Sequence, residues 1–183
     1  MRLRIKNTEY TLKVLGWVQI FGGIYGIGFV SWLTINVGDI NGALLFILLF
    51  GYSLNIFCIT SGIKLLNQDS IKYGLMFSMI NYAFQVIQFK ILGYSLIFSS
   101  GTAFTIGFND GFRFNFALFA SSFQMAINTD DTDFVFMLNF VAILILVVLE
   151  EIWSEKYGKK KTEKLEQIVE KHIITENNSE ELL

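Results

Sequence analysis

The sequence predicts a mainly α, polytopic membrane protein: four transmembrane helices, a small extracytoplasmic β-hairpin or meander between the third and fourth, and a short cytoplasmic C-terminal amphipathic helix. Three observations predict it. The 183 residues are 53% hydrophobic and 16% aromatic but only 16% charged, too few charges to clothe a solvated surface. The charges fall in blocks that leave long uncharged apolar runs, the pattern of spanning helices. Between the third and fourth runs the residues alternate in character, which is the period of a strand.

The first run, Leu12 to Val37, is preceded by Arg2, Arg4 and Lys6 and carries Lys13 at its start. It is too long for a signal-peptide core and no small-residue cleavage site follows, so a lasting helix is expected over about 12–37. Gly38, Asp39, Ile40, Asn41 and Gly42 then reverse the chain. A second helix is expected over 43–63, from Ala43 to Ile63, ending at Lys64.

The polar stretch Asn67, Gln68, Asp69, Ser70 and Lys72 separates this from a third expected helix over 73–92. Lys90 lies seventeen residues beyond Tyr73, or about 26 Å along a helix. There its ammonium reaches the headgroups by snorkelling. The fourth run, 134–153, holds only Asn139, Glu150 and Glu151 as strongly polar members.

Orientation follows from the excess of Lys and Arg on the cytoplasmic side. With an inside N-terminus, Arg2, Arg4, Lys6, Lys13, Lys64, Lys72, Lys156, Lys159, Lys160, Lys161, Lys164 and Lys171 fall inside, twelve of the fourteen, and only Lys90 and Arg113 fall outside. Both termini are therefore expected in the cytoplasm, with the protein in the cell (inner) membrane. An odd number of spans would carry the lysine-rich tail across.

From Thr102 to Leu118 the alternation predicts a β-hairpin. A three-residue loop, Asn109–Asp110–Gly111 with Gly111 left-handed, pairs Phe108 with Phe112, Ile106 with Phe114 and Phe104 with Phe116, placing every bulky residue on one face. A two-residue loop would oppose Phe108 to Arg113 and mix the faces. Phe123, Met125 and Ile127 extend the pattern to a third short strand, so an outer β-element is expected over about 102–128. Asp130, Asp131 and Asp133 mark the return to the membrane. The domain thus covers 1–154. The remainder, 155–183, is a cytoplasmic tail in which Leu165, Ile168, Val169, His172 and Ile173 recur at helical spacing.

No catalytic constellation emerges. His172 is the single histidine and reads as a solvated helix residue, so neither a His-based triad nor a multi-histidine metal site is expected. Cys58 is the single cysteine and reads as a packing residue. The three outer aspartates match no calcium-loop spacing. No enzyme activity, metal, cofactor or nucleic-acid partner is expected.

The most informative polar feature is the row Ser78, Asn81, Gln85 and Gln88, which three-and-four spacing puts on one side of the third helix. Hydrogen bonding to Gln19, Asn55 or Asn139 on neighbouring helices is the favoured use, and a hydrated pathway the other. Gly22 and Gly26 form a small-xxx-small pair read as internal helix packing. Lys159, Lys160 and Lys161 read as topology determinants.

The absence of proline, against an expectation of about nine at average usage, with abundant Phe, Ile, Asn and Lys, predicts a bacterial source with an AT-rich genome. The expected role is a non-enzymatic membrane subunit or interaction protein in a homo- or hetero-oligomer, of the kind that also serves as a sensor or effector in bacterial defence. Its partners would be the lipid bilayer and either a second copy or a membrane or cytoplasmic protein. The alternative is a small channel or transporter using the polar row.

Overall fold

The computed structural model describes residues 7–108, 111–127 and 134–158. Among them are four helices and one four-stranded antiparallel sheet. The expected tail helix, the loop residues Asn109 and Asp110, and the aspartates at 130, 131 and 133 lie outside the described residues.

Helix α1, Thr8–Asn36, starts where the Asn7 side chain accepts from the Tyr10 amide at 3.2 Å. Helix α2, Gly42–Leu66, starts where the Asn41 side chain accepts from the Leu44 amide at 2.9 Å. Each Asn occupies one of the orphan amides of a first turn, which fixes the helix start. With 29 and 25 residues, α1 and α2 are long and apolar enough to cross a membrane, reaching about 44 and 38 Å.

The other two expected spans do not form as continuous helices, and the four-span bundle is overturned with them. The third run divides into α3, Ile71–Val86, and strand β1, Ile87–Ile91. The fourth divides into strand β4, Val135–Asn139, and α4, Phe140–Trp153. Helices of 16 and 14 residues extend only about 24 and 21 Å, short of a hydrocarbon core of roughly 30 Å. Hydropathy cannot see this division, because an apolar strand and an apolar helix average alike. The finer pattern does register it: Ile87, Phe89 and Ile91 alternate with Gln88 and Lys90, favouring a pleat. At the fourth run Asn139 is the boundary, since its Oδ1 accepts from both Ala142 N, capping α4, and Phe104 N in the sheet.

Strand β2 runs Tyr94–Phe108 and β3 runs Phe112–Ala126. Their register pairs Phe104 with Phe116, Ile106 with Phe114 and Phe108 with Phe112, as side-chain alternation predicts. The ribbon is longer than expected, however. The third strand anticipated at 123–127 is the far end of β3, with Phe98 opposite Phe123 and Leu96 opposite Met125.

Strands β1, β2 and β4 each pair antiparallel with the other two. Three straight strands cannot do this, because two strands antiparallel to a third are parallel to each other. The 15-residue β2 must therefore bend sharply between its β1-paired start, 94–96, and its β4-paired end, 105–108. The register shift at Gly101–Ala103, with Gly101 at φ +100°, supplies that bend, as a bulge built on a left-handed glycine does. The sheet then closes on itself through β1, β4 and β2, and among the described residues β3 is its edge strand, with α1 packed against it.

Two apolar clusters lie at different levels of the helices. One gathers Leu12, Leu65, Leu75, Leu149 and Ile152; the other Val30, Leu48, Leu54, Phe98 and Phe123. Along α1 and α2 the buried polar residues fall between them. Because α3 leads straight into β1 and β4 straight into α4, the sheet lies toward one end of the helices. The start of α1, end of α2, start of α3 and end of α4 meet at the other end, around Glu9, Leu65, Ile71 and Lys156.

Candidate functional site

The polar layer is built on α3, whose 3.6-residue period turns Ser78, Asn81 and Gln85 inward together. All three are fully buried, and Gln88, now the second residue of β1, is buried with them. The structure distributes the row over three neighbours. Ser78 Oγ donates to Gln19 Oε1 on α1 at 3.1 Å. Asn81 Nδ2 donates to Cys58 Sγ on α2 at 3.3 Å. Gln85 Oε1 accepts from the Ser100 amide at 3.0 Å, and Gln88 Nε2 donates to Phe98 O at 3.3 Å.

Two of these residues thus hold helices and two hold the sheet, at the level where β2 bends. Gln19 receives the expected kind of bond. Asn55 instead turns back on its own helix, with Nδ2 donating to Gly51 O at 2.8 Å, and Asn139 serves the α4 start and β2 rather than α3.

Cys58, which sequence gives no reason to single out, is the hub. Its thiol donates to Gln19 O, and its sulfur accepts from Asn81 and lies 3.3 Å from Ser100 Oγ. One small polarizable atom therefore joins α1, α2, α3 and β2. Ser95, Ser99, Ser100 and Thr105 are also buried, on a strand whose apolar neighbours hide them in any hydropathy window. Ser121 Oγ donates to Ser99 O at 3.1 Å, stitching β3 to β2.

The glycines make this layer possible. A Cβ at Gly22 would lie 2.6 Å from Ser100 Oγ and 2.8 Å from Gly101 N, and one at Gly26 would overlap the Asn55 amide oxygen. Gly22 thus seats α1 on the bend of β2, and Gly26 seats it on α2. The small-xxx-small pair is used inside this chain.

Several polar atoms in the layer have no hydrogen-bond partner among the described residues: Gln19 Nε2, Asn55 Oδ1, Asn81 Oδ1 and Gln85 Nε2. None of the described buried polar residues is ionisable as Asp, Glu, Lys, Arg or His. No group of three His, Cys, Asp or Glu among the described residues could hold a metal.

The aromatic face is the second feature. Phe112, Phe114 and Phe116 are 80%, 69% and 60% exposed, and Phe108 is exposed beside them. Phe104 and Ile106 are half-buried, with the Phe104 ring 6.4 Å from both Phe116 and Phe140. The opposite face of β2 here carries Ala103 and Thr105, both buried, and the half-buried Gly107. Near the turn the large apolar side chains are the exposed ones, the reverse of a water-soluble sheet, although Asn115 is exposed there as well and Phe98 and Phe123 at the far end are buried.

No known protein family, curated protein or solved structure matches the chain.

Proposed function

We propose that this chain is a membrane-embedded, non-enzymatic interaction protein, held in the bilayer by the α1–α2 pair and presenting the phenylalanine-faced β2–β3 ribbon to a partner. The observation that carries the reading is its inverted polarity. Trp17, Trp32, Ile35, Leu49, Leu144 and the ribbon phenylalanines are exposed, while Gln19, Asn55, Asn81, Gln85 and Asn139 are fully buried. Exposed apolar surface on this scale is stable against lipid or protein, not water. Neutral amides inside a helix layer are what bilayer proteins use to join helices.

Charge supports an orientation. Lys13, Lys64, Lys72 and Lys156 all belong to the end where the four helix termini meet, and no charged residue interrupts α1 between Lys13 and Asn36. By the positive-inside bias that end faces the cytoplasm of the cell membrane. The partner surface is the edge strand β3 together with its exposed phenylalanines. Unpaired backbone groups cannot be left against hydrocarbon, so this edge is suited to a second copy or another membrane subunit. A photo-crosslinking side chain at Phe114 is expected to yield a defined covalent adduct in native membranes. Labelling of lipid alone would overturn the partner reading.

The partnerless amide atoms around Cys58 favour a second reading, a small polar pathway through the layer. Its test is flux into liposomes, which should fall when Gln85 and Gln88 become Leu. Unchanged flux from stable protein removes it.

A further inference from the structure

At the charged end the four helix termini enclose a cleft of about 350 Å³, roughly ten times the space one water requires. Leu12, Leu65, Leu66 and Ile71 form its apolar part, and Lys13 and Lys156 stand on its polar rim. Leu12 and Leu65 are buried within the cluster beneath, so the floor is continuous with the core.

We propose that this cleft binds one anionic phospholipid, with an acyl chain on the leucine and isoleucine floor and the phosphate between Lys13 and Lys156. The proposal rests on the membrane reading above and adds a specific ligand to it. Glu9 also lines the cleft but is engaged by Lys13 at 2.8 Å, so the described lining residues carry a net positive charge through Lys156. The first turns of α1 and α3 both border the space through Thr8, Glu9 and Ile71. The last turn of α2 borders it too, through Leu65 and Leu66, so helix dipoles of both signs meet there and the attraction for phosphate comes from the two lysines. An apolar floor distinguishes a lipid from a free phosphate, which would gain nothing from it. The position at the end where lysines collect is the headgroup level of a leaflet that carries anionic lipid.

The test uses the full chain reconstituted in vesicles of phosphatidylglycerol and phosphatidylcholine in equal parts, extracted in mild detergent, with co-purifying lipid quantified. Phosphatidylglycerol should be retained over phosphatidylcholine, and each of Lys13→Gln and Lys156→Gln should lower that excess about fivefold. Lys13→Arg with Lys156→Arg should keep it. No phosphatidylglycerol excess, an excess indifferent to the Gln variants, or displacement of the lipid by inorganic phosphate each overturns the proposal. Carbonate extraction of the same vesicles separates the two levels: release of the protein defeats the membrane reading, while retention without lipid preference defeats only this site.

Discussion

Gln85 and Gly26 show how much of this molecule depends on single atoms. Gln85 Oε1 is the side-chain acceptor for the amide of Ser100, a residue at the β2 bend that is itself buried. Gln85→Leu leaves that donor unpaired in a dry interior, a cost of about 1–3 kcal/mol. Denaturant unfolding in micelles should show the loss, with Gln85→Glu failing to restore it because a buried carboxylate is costly. The glycines of α1 look interchangeable in sequence but are not. Gly26→Ala drives a methyl into Asn55 and should destabilise by about 1–3 kcal/mol. A Cβ at Gly28 meets nothing within 4 Å, so Gly28→Ala should stabilise by roughly 0.5–1 kcal/mol through helix propensity alone. Equal effects in the same unfolding assay would contradict the α1 orientation.

At the scale of elements, one strand–helix junction and one strand–strand turn each rest on one unusual residue. Asn139 ends β4, caps α4 and binds the Phe104 amide, so Asn139→Ala should cost about 1–2 kcal/mol and lower the helical signal in circular dichroism. The β1–β2 turn consists of Leu92 at φ +49° and Gly93 at φ +80°, the conformation of a two-residue primed turn. Leucine is strained there and is 78% exposed, so it has little packing to lose. Leu92→Asn should raise stability by about 1 kcal/mol, read as a higher Tm.

These elements also show what the sequence made legible. The hairpin register was readable because phenylalanine alternation and a glycine turn agree on one pairing. The two long helices were readable because their uncharged runs are long and apolar enough to cross a membrane. The helix–strand junctions at Val86–Ile87 and Asn139–Phe140 were hidden from hydropathy averaging, since a five-residue strand beside an apolar helix changes a window-wide mean little. The bend of β2 was hidden too, because it depends on pairings such as Ile106 with Leu138 and Ile87 with Leu138, between strands far apart in sequence. The inward row on α3 followed from spacing, but its contacts with Cys58, Ser100 and Phe98 required the bend.

For the whole molecule, the proposed membrane setting turns on an outside rich in exposed apolar side chains and a layer of buried amides between two apolar clusters. A water-soluble protein of this size would expose its amides and bury its tryptophans. Here Trp17 and Trp32 are 52% and 57% exposed on a helix long enough to span, while Gln19 beside them is fully buried. The direct measurement is fluorescence of variants retaining either Trp17 or Trp32 alone, reconstituted in vesicles whose acyl chains carry bromine. Strong quenching of both, with the protein retained through carbonate extraction, is the predicted result. Unquenched emission at a water-exposed wavelength, from protein that carbonate releases, would contradict the account.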